Sequence, residues 1–279
     1  MSSKRSYLNN SNIEIINPDT TRGKIKFCIF DFDGTISLIR EGWQQIMIPM
    51  MVDILMQTPA HESRPQIEKI VRTYVANTTG KQTIYQMIRL AEEVKKRGGT
   101  PHEPLAYKNQ YHDLLMKRIS ERLEGLRSGE LQPNDWAVPG ALDMLAVLNQ
   151  YAVTCFLASG TDKEYVLDEA DLLGVTKYFA GIYGALDDYK NFSKRIVIKK
   201  IINDNQLSGP ELVAFGDGYV EIEDTKTIGG IAVGVATNEA ERQGIDEWKR
   251  ERLIHSGADF IMPDFRQYRT LLDYLMMEE

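Results

Sequence analysis

From Val138 to the C-terminus, short apolar runs alternate with helical segments, and no other feature of the chain narrows its possible folds as much. The runs Val153 to Ala158, Phe179 to Tyr183, Leu212 to Phe215, Ile231 to Val235 and Asp259 to Met262 have the length and character of short buried strands. Strand and helix in alternation lead to a parallel sheet covered by helices on both faces, an α/β fold. One more strand-like run, Ile25 to Phe30, stands far upstream. Everything between it and Val138 has helical periodicity. The sheet unit is therefore expected to be split in sequence, with residues 23–39 and 137–279 enclosing an all-helical insert at 40–136 and residues 1–22 left as an N-terminal extension.

Within the insert, Ile67, Ile70, Val71, Tyr74 and Val75 share one helical face, as do Ile84, Met87, Ile88, Ala91 and Val94. A longer helix from about Leu105 to Leu126 carries Leu115, Ile119 and Leu123 at four-residue spacing, and the polar stretch Gly125 to Asn134 reads as a linker. The Met-rich segment Met47 to Met56 reads as core filler, interrupted by Pro49.

A chain of 279 residues is long enough for a sizeable core and a second, smaller unit. With 33 Lys and Arg against 40 Asp and Glu, the net charge is −7, and no basic stretch is interleaved with aromatic residues, so nucleic acid is not an expected partner. Cys28 and Cys155 both lie in apolar runs and imply no disulfide framework, which suits a reducing compartment. No window reaches 18 apolar residues, so no membrane partner and a cytoplasmic location are expected. His61, His102, His112 and His255 lack metal-ligand spacing, and no zinc site is expected.

Four constellations fall at strand ends. Asp31-Phe32-Asp33-Gly34-Thr35 follows the first strand and sets two carboxylates at the carboxyl edge of the sheet, where open α/β sheets bind ligands. Ala158-Ser159-Gly160-Thr161 ends the second strand; alone it is a turn with a helix cap, but its hydroxyl and backbone N–H groups also suit an anion. Phe215-Gly216-Asp217-Gly218 ends another strand, with Glu221, Glu223 and Asp224 close behind. Between them lie Lys190, Lys194, Lys199 and Lys200, any of which could supply a positive charge.

In this order the four constellations resemble the haloacid dehalogenase-like phosphohydrolase superfamily. That resemblance implies a Rossmann-like core with an inserted helical cap, and a Mg²⁺-dependent phosphatase of a small phosphorylated metabolite such as a sugar phosphate, phosphoglycolate or nucleotide. It makes Asp31 the nucleophile that forms an aspartyl-phosphate and Asp33 the acid and then base. Thr35, Ser159, Gly160 and Lys194 would bind the transferring phosphate, Lys194 being preferred because 217 − 194 = 23 is near the family interval. Mg²⁺ would be held by Asp31, the Asp33 carbonyl and Asp217, with Glu221 standing where the family often has Asp. Thr35 leans toward phosphatases, since sugar phosphomutases of the superfamily frequently have Val there; a phosphomutase is the alternative, and a non-catalytic phosphate or metal binder a third.

The cap would read the leaving group. Arg40, Glu41 and Trp43 follow the first motif closely enough to line a cleft, and Thr79-Gly80-Lys81-Gln82 is a polar loop between two helices, with Lys81 a candidate substrate contact. Gly80-Lys81 is not a nucleotide P-loop, because Val75 occupies the position of its first glycine. Gly216-x-Gly218 is not a dinucleotide fingerprint, because Glu221 stands where Gly or Ala is needed. Glu223 and Asp224 are expected to be surface residues or helix-capping charges. Trp248 with Lys249, Arg250 and Arg252 reads as a solvated helix face.

Overall fold

The order of the strands across the sheet decides which loops meet. The computed structural model describes residues 5–186 and 194–277, so Lys190 lies outside the described residues. In chain order the strands are β1 (Ser6–Tyr7), β2 (Glu14–Ile15), β3 (Phe27–Phe30), β4 (Thr154–Asp162), β5 (Phe179–Ala185), β6 (Leu212–Gly216), β7 (Ile231–Val235) and β8 (Phe260–Met262). They lie side by side as β1-β2-β8-β7-β6-β3-β4-β5. All pairs from β8 to β5 are parallel, whereas β1 with β2 and β2 with β8 are antiparallel. The N-terminal extension thus adds an antiparallel edge, which two-residue polar strands did not announce. The chain leaves β3 toward β4 and β5 on one side, then crosses to β6, β7 and β8 on the other. Strand order reverses at β3, and the crevice outside such a reversal is the usual ligand site of an open α/β sheet.

The helices are α1 (Gln44–Leu55), α2 (Arg64–Thr78), α3 (Thr83–Lys96), α4 (Pro104–Ser128), α5 (Pro133–Trp136), α6 (Ala141–Gln150), α7 (Lys163–Leu172), α8 (Lys194–Asp204), α9 (Tyr219–Thr227), α10 (Glu247–His255) and α11 (Tyr268–Met276). Alternate residues of β3 serve opposite faces of the sheet. Cys28 and Phe30 pack in one cluster with α6, α7 and α11, and Ile29 packs in another with Val197, Ile198 and Ile201 of α8. Phe30 stacks on Phe215 of β6 with ring centroids 4.8 Å apart, directly behind the first motif. Truncating either ring would cost about 3–5 kcal/mol. No helix among the described residues is long and apolar enough to cross a membrane.

Between β3 and β4, helices α1 to α4 pack on one another, burying Ile67, Val71, Tyr74 and Val75 of α2 and Leu115, Ile119 and Leu123 of α4. Pro49 does not interrupt its segment: α1 runs through it and buries Met47, Met50 and Met51. A proline inside a helix costs about 3 kcal/mol, which the burial of that apolar face offsets. The linker expected from Gly125 is also shorter. Helix α4 continues to Ser128 and ends on Gly129, at φ 78°. Gly125 is needed for packing, since a Cβ there would stand 2.5 Å from the Leu131 side chain as the chain folds back.

Candidate active site

Asp31 extends the pairing of β3 by one residue, its N–H donating to the Phe215 carbonyl at 2.9 Å, and this fixes its direction. Its Oδ1 accepts from the Phe32 N–H at 2.7 Å and lies 2.7 Å from Lys194 Nζ. The N–H groups of Thr35, Ile36 and Ser37 then converge on the Phe32 carbonyl, closing a tight turn. Gly34 in that turn has φ +76°, and a Cβ would meet Asp217 Oδ2 at 2.4 Å. Only glycine lets the turn press against the end of β6.

Asp33 is held from the neighbouring strand. Its Oδ2 accepts from Thr161 Oγ1 at 2.7 Å and more weakly from Ser159 Oγ at 3.4 Å. Its Oδ1 is buried with no hydrogen-bond partner among the described residues, and Arg40 Nε stands 3.9 Å away. Lys194, the first residue of α8, is buried between Asp31 and Glu221. Asp217 receives its position from Thr35, whose Oγ1 accepts the Asp217 N–H at 3.0 Å.

These bonds redistribute three roles read from the sequence. Thr35, expected on the phosphate, is fully buried and its hydroxyl supports Asp217. Glu221, expected among the metal residues, does not line the cavity, because the first turn of α9 carries its carboxylate to Lys194. Asp224, expected at the surface or capping a helix, is buried, and its Oδ1 lies 3.0 Å from Arg195 Nε; burial raises its pKa against that guanidinium.

Asp31, Asp33, Gly160, Lys194 and Asp217 line one cavity of about 100 Å³. Arg40, Glu41, Trp43 and Lys81 line it as well, so the insert closes its far side. Ser159 sits behind Asp33 instead of lining the cavity itself. Arg40 is bound to Glu169 of α7 (Nη2 to Oε1 2.7 Å), and burial pushes the Glu169 carboxyl up to about 7 against the pull of Arg40. Glu41 accepts from Arg122 of α4 at 3.2 Å. The loop between α2 and α3 lies against the sheet edge at two glycines: a Cβ on Gly80 would be 3.1 Å from Gly218 Cα, and one on Gly160 would be 3.1 Å from the Lys81 carbonyl. Arg252 of α10 secures this loop, donating to the Thr79 carbonyl at 2.6 Å.

Sequence reasoning missed Thr161, Glu239 and Lys249. Thr161 lay in view within Ser159-Gly160-Thr161, two residues past the serine. Lys249 was read as part of a solvated face, yet it is buried, with Nζ 2.8 Å from Asp217 Oδ2 and 2.5 Å from Glu239 Oε1. Trp248 beside it is exposed, as expected.

Among the described residues no group of three or more His, Cys, Asp and Glu side chains is arranged to hold a metal. Asp31, Asp33, Glu41, Asp217 and Glu239 line the cavity, and of these Asp31 and Asp217 follow the ends of the paired strands β3 and β6. Burial pushes the Asp31 carboxyl up to about 7; Lys194 opposes this, while Asp217 and Asp33 add to it. Loss of water around the buried carboxyl, more than crowding by the other carboxylates, holds it back from ionising. Carboxylate oxygens at a site poor in water fit a hard divalent cation such as Mg²⁺, which binds through one or two carboxylates and keeps waters.

The sequence profile of the haloacid dehalogenase-like hydrolases matches residues 25–223. No curated protein sequence matches the chain. Among solved structures, a predicted phosphoglycolate phosphatase from Haemophilus somnus 129pt superposes with TM-score 0.59 at 16% identity, covering 89% of this chain and 98% of that one. The β-phosphoglucomutase of Clostridium difficile gives TM-score 0.60 at 14% identity, covering 91% and 100%. A haloacid dehalogenase-like family hydrolase from Streptococcus pneumoniae gives 0.56 at 16%, covering 90% and 98%. At these identities the likeness is one of fold.

Proposed function

Since the chain belongs to the haloacid dehalogenase-like hydrolases, we propose that it is a Mg²⁺-dependent phosphatase of a small phosphomonoester, acting through an aspartyl-phosphate on Asp31. The observation that carries this reading is the pair of carboxylates in one cavity. Asp31 has an oxygen on Lys194 at 2.7 Å, and Asp33 has one oxygen on Thr161 and the other unpartnered.

In the first step an Asp31 oxygen attacks phosphorus and the bond to the leaving alcohol breaks. Asp33 gives that alcohol its proton from Oδ1, the oxygen that has no hydrogen-bond partner among the described residues. In the second step Asp33 takes a proton from water as the water attacks the aspartyl-phosphate, releasing phosphate and restoring the Asp31 carboxylate. Lys194 stabilises charge on the transferring group, with Glu221 keeping its ammonium in place. The backbone of Gly160 completes the phosphate contacts, and Ser159 supports Asp33 and the Thr161 N–H from behind. Asp31, Asp217 and the carbonyl of Asp33 would hold Mg²⁺. Bound there, the ion would offset the repulsion between the attacking carboxylate and the phosphate dianion.

The insert, residues 40–136, acts as the cap. Ligand pockets usually enclose about 300–1,000 Å³, so a cavity of about 100 Å³ has room for little beyond the transferring group. Substrate entry requires the loop at Gly80 to lift from Gly218, and its return excludes water from the reaction. Arg40, Glu41 and Lys81 face the leaving group and discriminate among small phosphorylated metabolites.

The test is phosphate release from a panel of sugar phosphates, nucleotides and phosphoglycolate, with Mg²⁺ and with EDTA, alongside Asp31→Asn. Release that needs Mg²⁺ and Asp31 supports the reading. An isomerised sugar phosphate in place of free phosphate would make the chain a mutase.

A further inference from the structure

Lys249 is buried directly behind Asp217, and no step above uses it. It belongs to the first turn of α10, whose start is fixed by Asp246: the Asp246 Oδ1 accepts the N–H groups of Trp248 at 2.9 Å and Lys249 at 3.1 Å. A lysine there meets the positive end of the helix dipole, and its ammonium is buried besides. Both costs are borne where the same residue could have pointed to solvent, as Trp248 does. What holds it in place is Asp217 Oδ2 at 2.8 Å and Glu239 Oε1 at 2.5 Å.

The two contacts divide the work. Asp217 Oδ2 is committed to Lys249 and lies against Gly34, whose missing Cβ would have met that oxygen. The other oxygen of Asp217, Oδ1, has no hydrogen-bond partner among the described residues. Glu239 cancels the charge of Lys249, so the pair is neutral and the carboxylate it orients keeps its full attraction for a cation.

We propose that Lys249 and Glu239 are a charge-balanced positioning pair that presents Asp217 Oδ1 to the divalent cation. The lysine sets which oxygen faces the cavity, and the glutamate lets it do so without repelling the ion. The inference rests on the Mg²⁺ reading given above. Partners of this kind, one shell out from the ligands, typically carry a 10- to 100-fold effect on metal affinity.

Mg²⁺ binding by titration calorimetry, without substrate, tests it, with melting temperature in EDTA recorded in parallel. The double variant Lys249→Met/Glu239→Gln keeps the net charge and loses the orientation, so its Kd for Mg²⁺ is expected to rise about 10- to 100-fold. Glu239→Gln alone leaves an uncancelled ammonium beside Asp217 and is expected to bind Mg²⁺ more weakly than the double variant. Unchanged affinity in the folded double variant, whatever its melting temperature, would reduce the pair to a structural ion pair and overturn the proposal. If the double variant does not fold, Glu239→Gln decides, and equal or tighter binding than wild type overturns it. Wild-type protein that binds no Mg²⁺ would remove the reading beneath the proposal as well, an outcome separate from a wild type that binds and a double variant that binds equally.

Discussion

The two walls of the cavity hold their charges in different ways. On the sheet side two separate sets of ion pairs hold the charges, Lys194 with Asp31 and Glu221, and Lys249 with Asp217 and Glu239, and the register of β3 with β6 fixes where Asp31 and Asp217 start. On the insert side, Lys81 is exposed on a loop that rests on glycines, packing over Tyr85 and Tyr219, while Glu41 leans on Arg122. A group whose direction is set by neighbouring buried charges has one position and a large penalty for leaving it. A group on a loop can move with the loop. The sheet wall is thus built for one reaction on phosphate, and the insert wall for choosing what the phosphate is attached to.

Asp31→Asn should break the sheet wall most completely, lowering phosphate release by about 10³-fold or more while the protein stays folded. Phosphate assay and circular dichroism on the same sample check it; retained turnover would mean the wall is not the reacting one. Arg40 stands where the two walls meet. Arg40→Leu strands the buried Glu169 carboxylate and should cost about 3–5 kcal/mol in urea unfolding near neutral pH. That loss should shrink at pH 5, below the raised pKa of about 7, where Glu169 is protonated.

Gly80→Ala probes the insert wall alone. The residue has φ +90°, and its Cβ would press on Gly218 Cα. A strain of about 1–3 kcal/mol should appear as a lower kcat/KM on the best substrate, with Mg²⁺ affinity unchanged. A matching loss of Mg²⁺ affinity would show that the two walls are not separable.

The smallest expected effect is a tilt with pH. In the metal-free protein the Asp31 carboxyl sits at about 7 against an ordinary 3.8. Between those values the folded state binds more protons than the unfolded one, so this group's contribution to stability is full below 3.8 and is lost as pH rises through 7. Glu169 tilts stability the same way from 4.5 to about 7. Melting temperature in EDTA should carry this decline across the range, and Asp31→Asn should flatten it in part. Saturating Mg²⁺, which binds the ionised carboxylate, should oppose it.

The sheet wall was legible because its residues sit at fixed offsets from strands that periodicity reveals. Asp31 and Asp33, Ser159, Lys194 and Asp217 each follow an apolar run or open a helix, and parallel register then carries β3, β4 and β6 to a common edge. What escaped depends on long-range pairing. Lys249 stands among Trp248, Arg250 and Arg252, where local composition reads as solvated surface, and its partner Glu239 lies in a polar loop with no period. Arg40 meets Glu169 across 129 positions of sequence. Thr35 and Glu221 were seen, but spacing places a residue in a turn without saying which way its side chain leaves, and here Thr35 supports the Asp217 N–H while Glu221 turns to Lys194. The strands β1 and β2 are two residues each, too short for alternation to show.

The central claim is a covalent phosphate on Asp31, and acid-quenched protein from a reaction with Mg²⁺ and the best substrate tests it most directly. Mass spectrometry should find one phosphoryl group on the peptide holding Asp31 in the wild type and none in Asp31→Asn. Rapid phosphate release with no modified peptide at any quench time, together with turnover by Asp31→Asn, would contradict the account.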